Sequence, residues 1–413
     1  MFYTNIDRYG NNLLFRGYDK RGPITKKVKF EPTFHIPNNS TDEGWKSLAG
    51  QSLAEIRPGT MRDCKDFLTK YEDVANFKVY GTNNYTHQFI SEVFPGTVKY
   101  DRTKINICTI DIEVGSENGF PEPDQALYEI ITITIKNNNG SIYHTWGTKE
   151  FNADKCTQSV LYRKCADERD LLLDFLEYWE NHIPDILTGW YSDSFDIPYI
   201  VNRIRRILGD DAILGLSPWR RVEVNDKKIA GKEIPGFNIV GVSQLDYIDL
   251  FKKFTLNTLG QQESYKLDHI ANVVLGEKKL DYSEHGSLHL LYKHDYQKFV
   301  EYNIKDVELV DKLEDKLGLI DLVLTMAYRA KCSLGETLGT VGIWDAILYN
   351  EFKKRKIAVP PKKLSSYTDS IEGGYVKEPQ VGMHEWVVSF DLNSLYPHLI
   401  MQYNMSPETI VNN

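Results

Sequence analysis

The pentapeptide Thr109-Ile110-Asp111-Ile112-Glu113 restricts this chain more than any other stretch. It ends an alternating apolar run, residues 104–114, with the period of a strand. Side chains on a strand alternate faces, so Ile110, Ile112 and Val114 enter a core while Asp111 and Glu113 project together from the other side. Two neighbouring carboxylates with no Lys or Arg between them repel each other. A divalent cation relieves that repulsion. Mg²⁺ or Mn²⁺ suits the oxygen donors better than zinc, because neither His nor Cys stands at ligand spacing nearby. The same pattern fits a strand end whose acids merely face water, so the metal reading requires further acids elsewhere in the chain.

At 413 residues the chain exceeds the ~250–300 residues at which a single core stops growing, and two or three domains are expected. No apolar run approaches the ~20 residues that span a bilayer, and Met1-Phe2-Tyr3-Thr4-Asn5 lacks the form of a signal peptide. A soluble, cytoplasmic protein is expected. Five cysteines without a C-x-x-C fit reduced thiols and argue against a disulfide framework or a zinc site. With a net charge of −9, any nucleic-acid path must be a local basic stripe. The candidates are Arg203, Arg205 and Arg206, then Arg220, Arg221, Lys227 and Lys228, and the run Lys353-Lys354-Arg355-Lys356. Each can equally be a solvated face.

Residues 1–38 alternate with turn signals at Tyr9-Gly10-Asn11-Asn12 and Lys20-Arg21-Gly22-Pro23, which reads as a β-meander. Residues 61–67 read as helix and residues 77–80 as strand. After the acidic strand, residues 127–136 and 141–146 read as two more antiparallel strands. Residues 167–182 place Leu171, Leu172, Phe175, Leu176 and Trp179 on one helical face; residues 186–190 then resume as a buried strand. Strands alternating with covering helices indicate a mixed α/β domain.

Further acids do appear. Asp196 stands where a helix begins, before Pro198, and serves either as an N-cap or as a ligand. Tyr302 and Asp306 lie one turn apart on an amphipathic helix, residues 296–316. They are either an ordinary exposed pair, or a phenol above a carboxylate that polarises a metal-bound water. Residues 220–240 read as an exposed two-stranded ribbon with its tip at Asn225-Asp226-Lys227-Lys228. Residues 317–360 are helix-rich, Gly373-Gly374-Tyr375 reads as a turn, residues 387–391 as a strand ending in Asp391, and residues 395–403 as the start of a helix.

Taken in order, Asp111-Ile112-Glu113, Phe195-Asp196, Tyr302-x-x-x-Asp306 and Asp391-Leu392-Asn393-Ser394-Leu395-Tyr396-Pro397 resemble the three exonuclease motifs and the first palm motif of family B DNA polymerases. Gly189-Trp190 and Leu245-Asp246-Tyr247-Ile248-Asp249-Leu250 are similar to the branch found in T-even-type phages. The resemblance implies an α/β (α+β) fold: a ribonuclease-H-like 3′–5′ exonuclease over residues 105–319, with a mixed sheet flanked by helices. A β-rich N-terminal domain, residues 1–104 completed by 320–362, and an incomplete palm from residue 363 would accompany it. It implies two Mg²⁺ or Mn²⁺ ions held by Asp111, Glu113, Asp196 and Asp306, with Asp111 bridging, and Tyr302 aligning the attacking water. In the palm it implies Asp391 and the Leu392 carbonyl on catalytic metal, and Ser394, Leu395 and Tyr396 on the incoming nucleotide. Phe195 and Gly373, Gly374 and Tyr375 would meet DNA, and the 220–240 ribbon would help separate primer from template. Implied partners are single-stranded and primer-template DNA, the remaining polymerase portion, and a sliding clamp with other replisome proteins in the host cytoplasm.

The chain departs from the family at Tyr191, where the second exonuclease motif usually has asparagine, and at His398, where a small residue is common. The second palm aspartates and the fingers lysine are not among these 413 residues, so nucleotide addition is not expected of this chain alone. The alternative is a DNA-binding or assembly subunit that keeps the fold without turnover.

Overall fold

The computed structural model describes the chain apart from residues 40–43, 73, 75–76, 118, 120, 226, 230–231, 235, 361–372, 407–408 and 410–413. It divides into two compact units, residues 1–362 and 363–413.

The first unit opens with the expected meander, β1 Phe2–Tyr9, β2 Asn12–Tyr18 and β3 Pro23–Lys29, paired antiparallel in that order. A second small sheet joins β4 Phe34–Pro37, β5 Trp45–Lys46 and β6 Ser52–Ile56. α1 Met61–Tyr71 is closed by a capping box between Thr60 and Asp63, and α2 Tyr85–Val93 follows. The strand expected over residues 77–80 does not form. Tyr80 alone pairs, exchanging backbone hydrogen bonds with His35 on the edge of β4 that β6 leaves open, while the Phe77 amide turns back to the Val74 carbonyl.

The central sheet has the order β10-β9-β8-β7-β11-β16. Its members are β7 Ile107–Val114, β8 Ile130–Asn137, β9 Ile142–Gly147, β10 Ser159–Lys164, β11 Ile186–Thr188 and, further on, β16 Ser243–Gln244. β7, β8 and β9 are antiparallel neighbours, as expected. The parallel additions β10 on β9 and β11 on β7 were not legible, because pairing between segments far apart in the chain leaves no local periodicity.

Ile110 and Ile112 pair across to Ile135 and Ile133 and bury one face of the sheet beneath α3 Glu168–Asn181 and α4 Asp196–Leu208. α3 is capped by Asp167, whose side chain accepts from the Asp170 amide at 2.9 Å, and presents Leu171, Leu172, Phe175, Leu176 and Trp179 to that core. Fully burying an apolar side chain of this size contributes about 2 kcal/mol.

Between α4 and β16 runs the ribbon. β12 Val222–Val224 pairs with β15 Phe237–Ile239, and β13 Lys227–Ile229 with β14 Lys232–Ile234. The expected tip at residues 225–228 is thus a junction between two strand pairs, and Asp226 lies outside the described residues.

α5 Tyr247–Phe254, α6 Leu256–Leu259, α7 Leu267–Leu275 and α8 Leu288–His294 lead to α9 Tyr296–Leu317, which covers the other face of the sheet. α9 starts at Asp295, whose side chain accepts from the Lys298 amide, and ends at Gly318 with left-handed φ of 60°. α10 Leu319–Ala330 and α11 Thr340–Lys354 follow. The largest core cluster draws Tyr3 and Leu13 from the meander together with Leu250, Ile270, Leu309, Ile320 and Leu324.

In the second unit α12 Leu395–Tyr403 forms as expected. Residues 387–391 are not a strand. They have no hydrogen-bonded neighbour among the described residues, and a strand without a partner leaves its backbone unpaired. Gly373-Gly374-Tyr375 is not a turn either, and Tyr375 is exposed.

Candidate active site

β7, β11 and β16 run parallel, so the chain leaves all three at the same end of the sheet. On the α9 face of β7, Asp111 stands opposite Thr134 and Glu113 opposite Thr132. α9 brings Tyr302, Asn303 and Asp306 over them, all three buried.

The carboxylate oxygens of Asp111, Glu113 and Asp306 lie within 4.8 Å of one another. Asp196 stands beside this trio. It is the first residue of α4 and Phe195 has the cap position, so the N-cap alternative for Asp196 does not hold. Its Oδ1 instead accepts from the amide of Ile112, the residue between the two strand acids, at 3.0 Å. The structure therefore collects all four expected acids, with Tyr302 among them.

Two residues of the cluster were not anticipated. Asn303 donates to Asp111 Oδ2 at 2.6 Å and fixes that carboxylate against α9. Lys279 pairs with Asp306 Oδ2 and donates to the Tyr302 hydroxyl at 3.1 Å. Asn303 was recoverable, one residue past the tyrosine of the motif. Lys279 sits in the loop after α7 with no periodic signal around it.

Burial raises the pKa of every acid here. Asp111 is held well above the ordinary range by burial and then by Asp196, Asp306 and Glu113. Burial and Asp306 push Glu113 up to about 8, and burial pushes Asp196 up to about 7 against the pull of the Ile112 amide. Asp306 is also raised by burial, with Lys279 opposing. Burial would lower Lys279, yet Asp306, Tyr302 and Asp111 hold it well above its usual value as a firm cation. Such a cluster of oxygens is short of positive charge. Asp306 Oδ1 is buried and has no hydrogen-bond partner among the described residues. An unpartnered buried carboxylate oxygen among two further carboxylates fits a hard divalent cation.

A model described as "DNA polymerase family B, exonuclease domain" matches residues 53–270, and one described as "DNA polymerase family B" matches residues 343–413. The chain belongs to DNA polymerase family B. This family B chain is 33% identical to the DNA-directed DNA polymerase of Escherichia phage RB69, over 99% of the chain and 47% of the relative. Against the DNA-directed DNA polymerase of Enterobacteria phage T4 the figures are the same, 33%, 99% and 47%. DNA polymerase 1 of Sulfolobus acidocaldarius is 29% identical over 74% of the chain and 35% of the relative. The family B chain thus spans about half the length of the two phage relatives.

The remaining expected residues fall elsewhere. Phe195 packs partly buried against the sheet core and Tyr199. Asp391, Leu392, Ser394, Leu395 and Tyr396 lie in the second unit. There Leu392 and Tyr396 are exposed, and the Ser394 carbonyl accepts the His398 amide at the start of α12. Arg203 is no DNA contact. It is buried in a two-pronged ion pair with Glu168 at 2.6 Å and donates to the carbonyls of Ala126 and Leu127. Arg205, Arg220, Arg221 and Arg355 pair with Asp210, Glu180, Glu223 and Glu351. Among the described residues no helix is long and apolar enough to cross a membrane.

Proposed function

We propose that this chain carries the 3′–5′ proofreading exonuclease of a DNA-directed DNA polymerase, removing nucleotides from single-stranded or frayed primer DNA. The observation that supports it most is the Asp111, Glu113 and Asp306 trio with an unpartnered Asp306 oxygen. Asp111, Glu113, Asp196 and Asp306 would hold two Mg²⁺ or Mn²⁺ ions. When bound, these supply positive charge to the entering and leaving oxygens of an in-line phosphodiester displacement. The Tyr302 hydroxyl, kept protonated by burial and by Asp306, already accepts from Lys279, so its own proton remains to orient the attacking water. Asn303 fixes the Asp111 carboxylate, and the Ile112 amide fixes Asp196.

The domain division is proposed as residues 1–104 with 320–362, 105–319, and a palm from 363. In that palm Asp391, the Leu392 carbonyl, Ser394, Leu395 and Tyr396 would serve metal and incoming nucleotide once the fingers and thumb of the polymerase are present. Phe195 would contact the frayed end, and Gly373, Gly374 and Tyr375 the template. Primer-template DNA, the rest of the polymerase, a sliding clamp and other replisome proteins are the proposed partners, in the cytoplasm of the host cell.

The test is digestion of a 5′-labelled single-stranded oligonucleotide with and without Mg²⁺ or Mn²⁺. Stepwise shortening from the 3′ end is expected of the wild type and should vanish in Asp111→Ala while DNA binding persists. Undiminished digestion by Asp111→Ala would refute the site. DNA binding by a wild type that never cuts would favour the non-catalytic subunit.

A further inference from the structure

Tyr191 holds a backbone conformation that its side chain disfavours. Its φ is 70°, in the left-handed region where a bulky residue is an outlier and glycine or asparagine is at ease. The conformation is imposed by its surroundings. The Asp246 side chain, at the N-cap of α5, accepts from the Tyr191 amide at 2.9 Å and from the Asp193 amide at 3.0 Å. The Tyr191 carbonyl accepts from the Phe195 amide, which closes the turn into Asp196. Nothing in that clamp uses the phenol ring. Strained backbone kept where a fitting residue would serve is characteristic of functional positions.

The place of Tyr191 says what that function is. Thr188 of β11 sits beside Thr109 of β7, so the chain leaves β11 level with the residues that lead to Asp111. Gly189 passes so close that a Cβ there would lie 2.6 Å from the Ile110 carbonyl oxygen. The neighbouring aromatic, Trp190, turns into the core and donates to the Tyr265 carbonyl. Tyr191 instead is 44% exposed. A large, half-open side chain thus stands on a clamped backbone in the loop that joins the end of β11, beside the Asp111 strand, to Asp196.

We propose that Tyr191 is a stacking platform for an unpaired base at the 3′ end of the DNA strand, holding that end over the carboxylate cluster. This rests on the exonuclease reading above and adds a substrate contact to it. Aromatic stacking is indifferent to base identity, as removal of any mispaired end requires.

The experiment compares wild type, Tyr191→Ala, Tyr191→Phe and Tyr191→Asn. It reads steady-state exonuclease kinetics, binding of a fluorescent single-stranded oligonucleotide in EDTA, and Tm. Loss of one base–aromatic stack weakens binding about tenfold. Tyr191→Ala and Tyr191→Asn should therefore show that increase in KM and Kd with little change in kcat, and Tyr191→Phe should restore the wild-type values. Tyr191→Asn should melt about 2 °C higher, because asparagine suits the backbone that tyrosine strains. Tighter folding with weaker DNA binding cannot come from a structural role alone. An oligonucleotide lacking the two 3′-terminal bases should erase the difference between wild type and Tyr191→Ala. Equal Kd for wild type and Tyr191→Ala on intact DNA would overturn the proposal. A wild type that binds but does not cleave would refute the exonuclease reading, while the Kd comparison would still decide on the stack.

Discussion

Replacing Lys279 by methionine removes a cation that touches Asp306 and Tyr302 and lies near Asp111. A unit charge pair about 4 Å apart contributes about 4 kcal/mol at an effective dielectric of about 20. The variant will not lose all of it. Glu113 already holds its proton up to about 8, so the cluster can relieve part of the added repulsion by taking up protons, and the methionine stem keeps the apolar packing. A net loss of about 2 kcal/mol is expected in EDTA, a fall of about 3 °C in Tm for a unit of this size. Magnesium should restore much of that loss, because the cation it replaces is missing. The rise in Tm on adding Mg²⁺, followed by differential scanning fluorimetry, should hence be larger in Lys279→Met than in wild type. Exonuclease turnover should still drop by at least about tenfold, since the Tyr302 hydroxyl loses the donor that orients it. A variant with wild-type Tm in EDTA and the same magnesium increment would show that Lys279 does not neutralise the cluster.

Two further outcomes follow from buried groups away from the site. Arg203→Met would leave Glu168 buried without its partner and should cost about 3–5 kcal/mol, seen as a lower urea midpoint, whereas Arg205→Met at a more exposed pair should cost under about 1 kcal/mol. His35 is buried against Trp45, both ring nitrogens without a partner among the described residues, and burial pushes it from 6.5 down to about 4. The unfolded chain then binds the proton first as pH falls through that window, so stability is full above it and declines below, by roughly 2 kcal/mol at about pH 5. Chemical denaturation across this range should show wild type losing about 2 kcal/mol relative to His35→Phe between about pH 7 and pH 5.

What could be read from sequence was what neighbours along the chain determine. The alternation in β7 placed Asp111 and Glu113 on one face, and the helical spacing in α9 placed Tyr302 above Asp306. What could not be read depends on segments that meet only after folding. The parallel partners β11 and β16 bring Asp246 beside the Tyr191 loop, and the loop after α7 delivers Lys279; neither carries a local pattern. Residues 387–391 show the converse. Their alternation is that of a strand, but a strand also needs a neighbour, and periodicity does not supply one.

Asp185 precedes β11 and is almost wholly enclosed. It accepts from Thr4 and Tyr18 of the meander as well as from the Asn106 amide, while Arg16 reaches the carbonyls of Ile183, Pro184 and Gly241. The opening hairpin is therefore bolted to the strand beside the acids. A chain trimmed to begin at residue 105 would bare an anion, strand several carbonyls and cut through a continuous greasy seam. The first hundred residues are a foundation for the acid cluster, and an engineer seeking a minimal version of that site must carry them along.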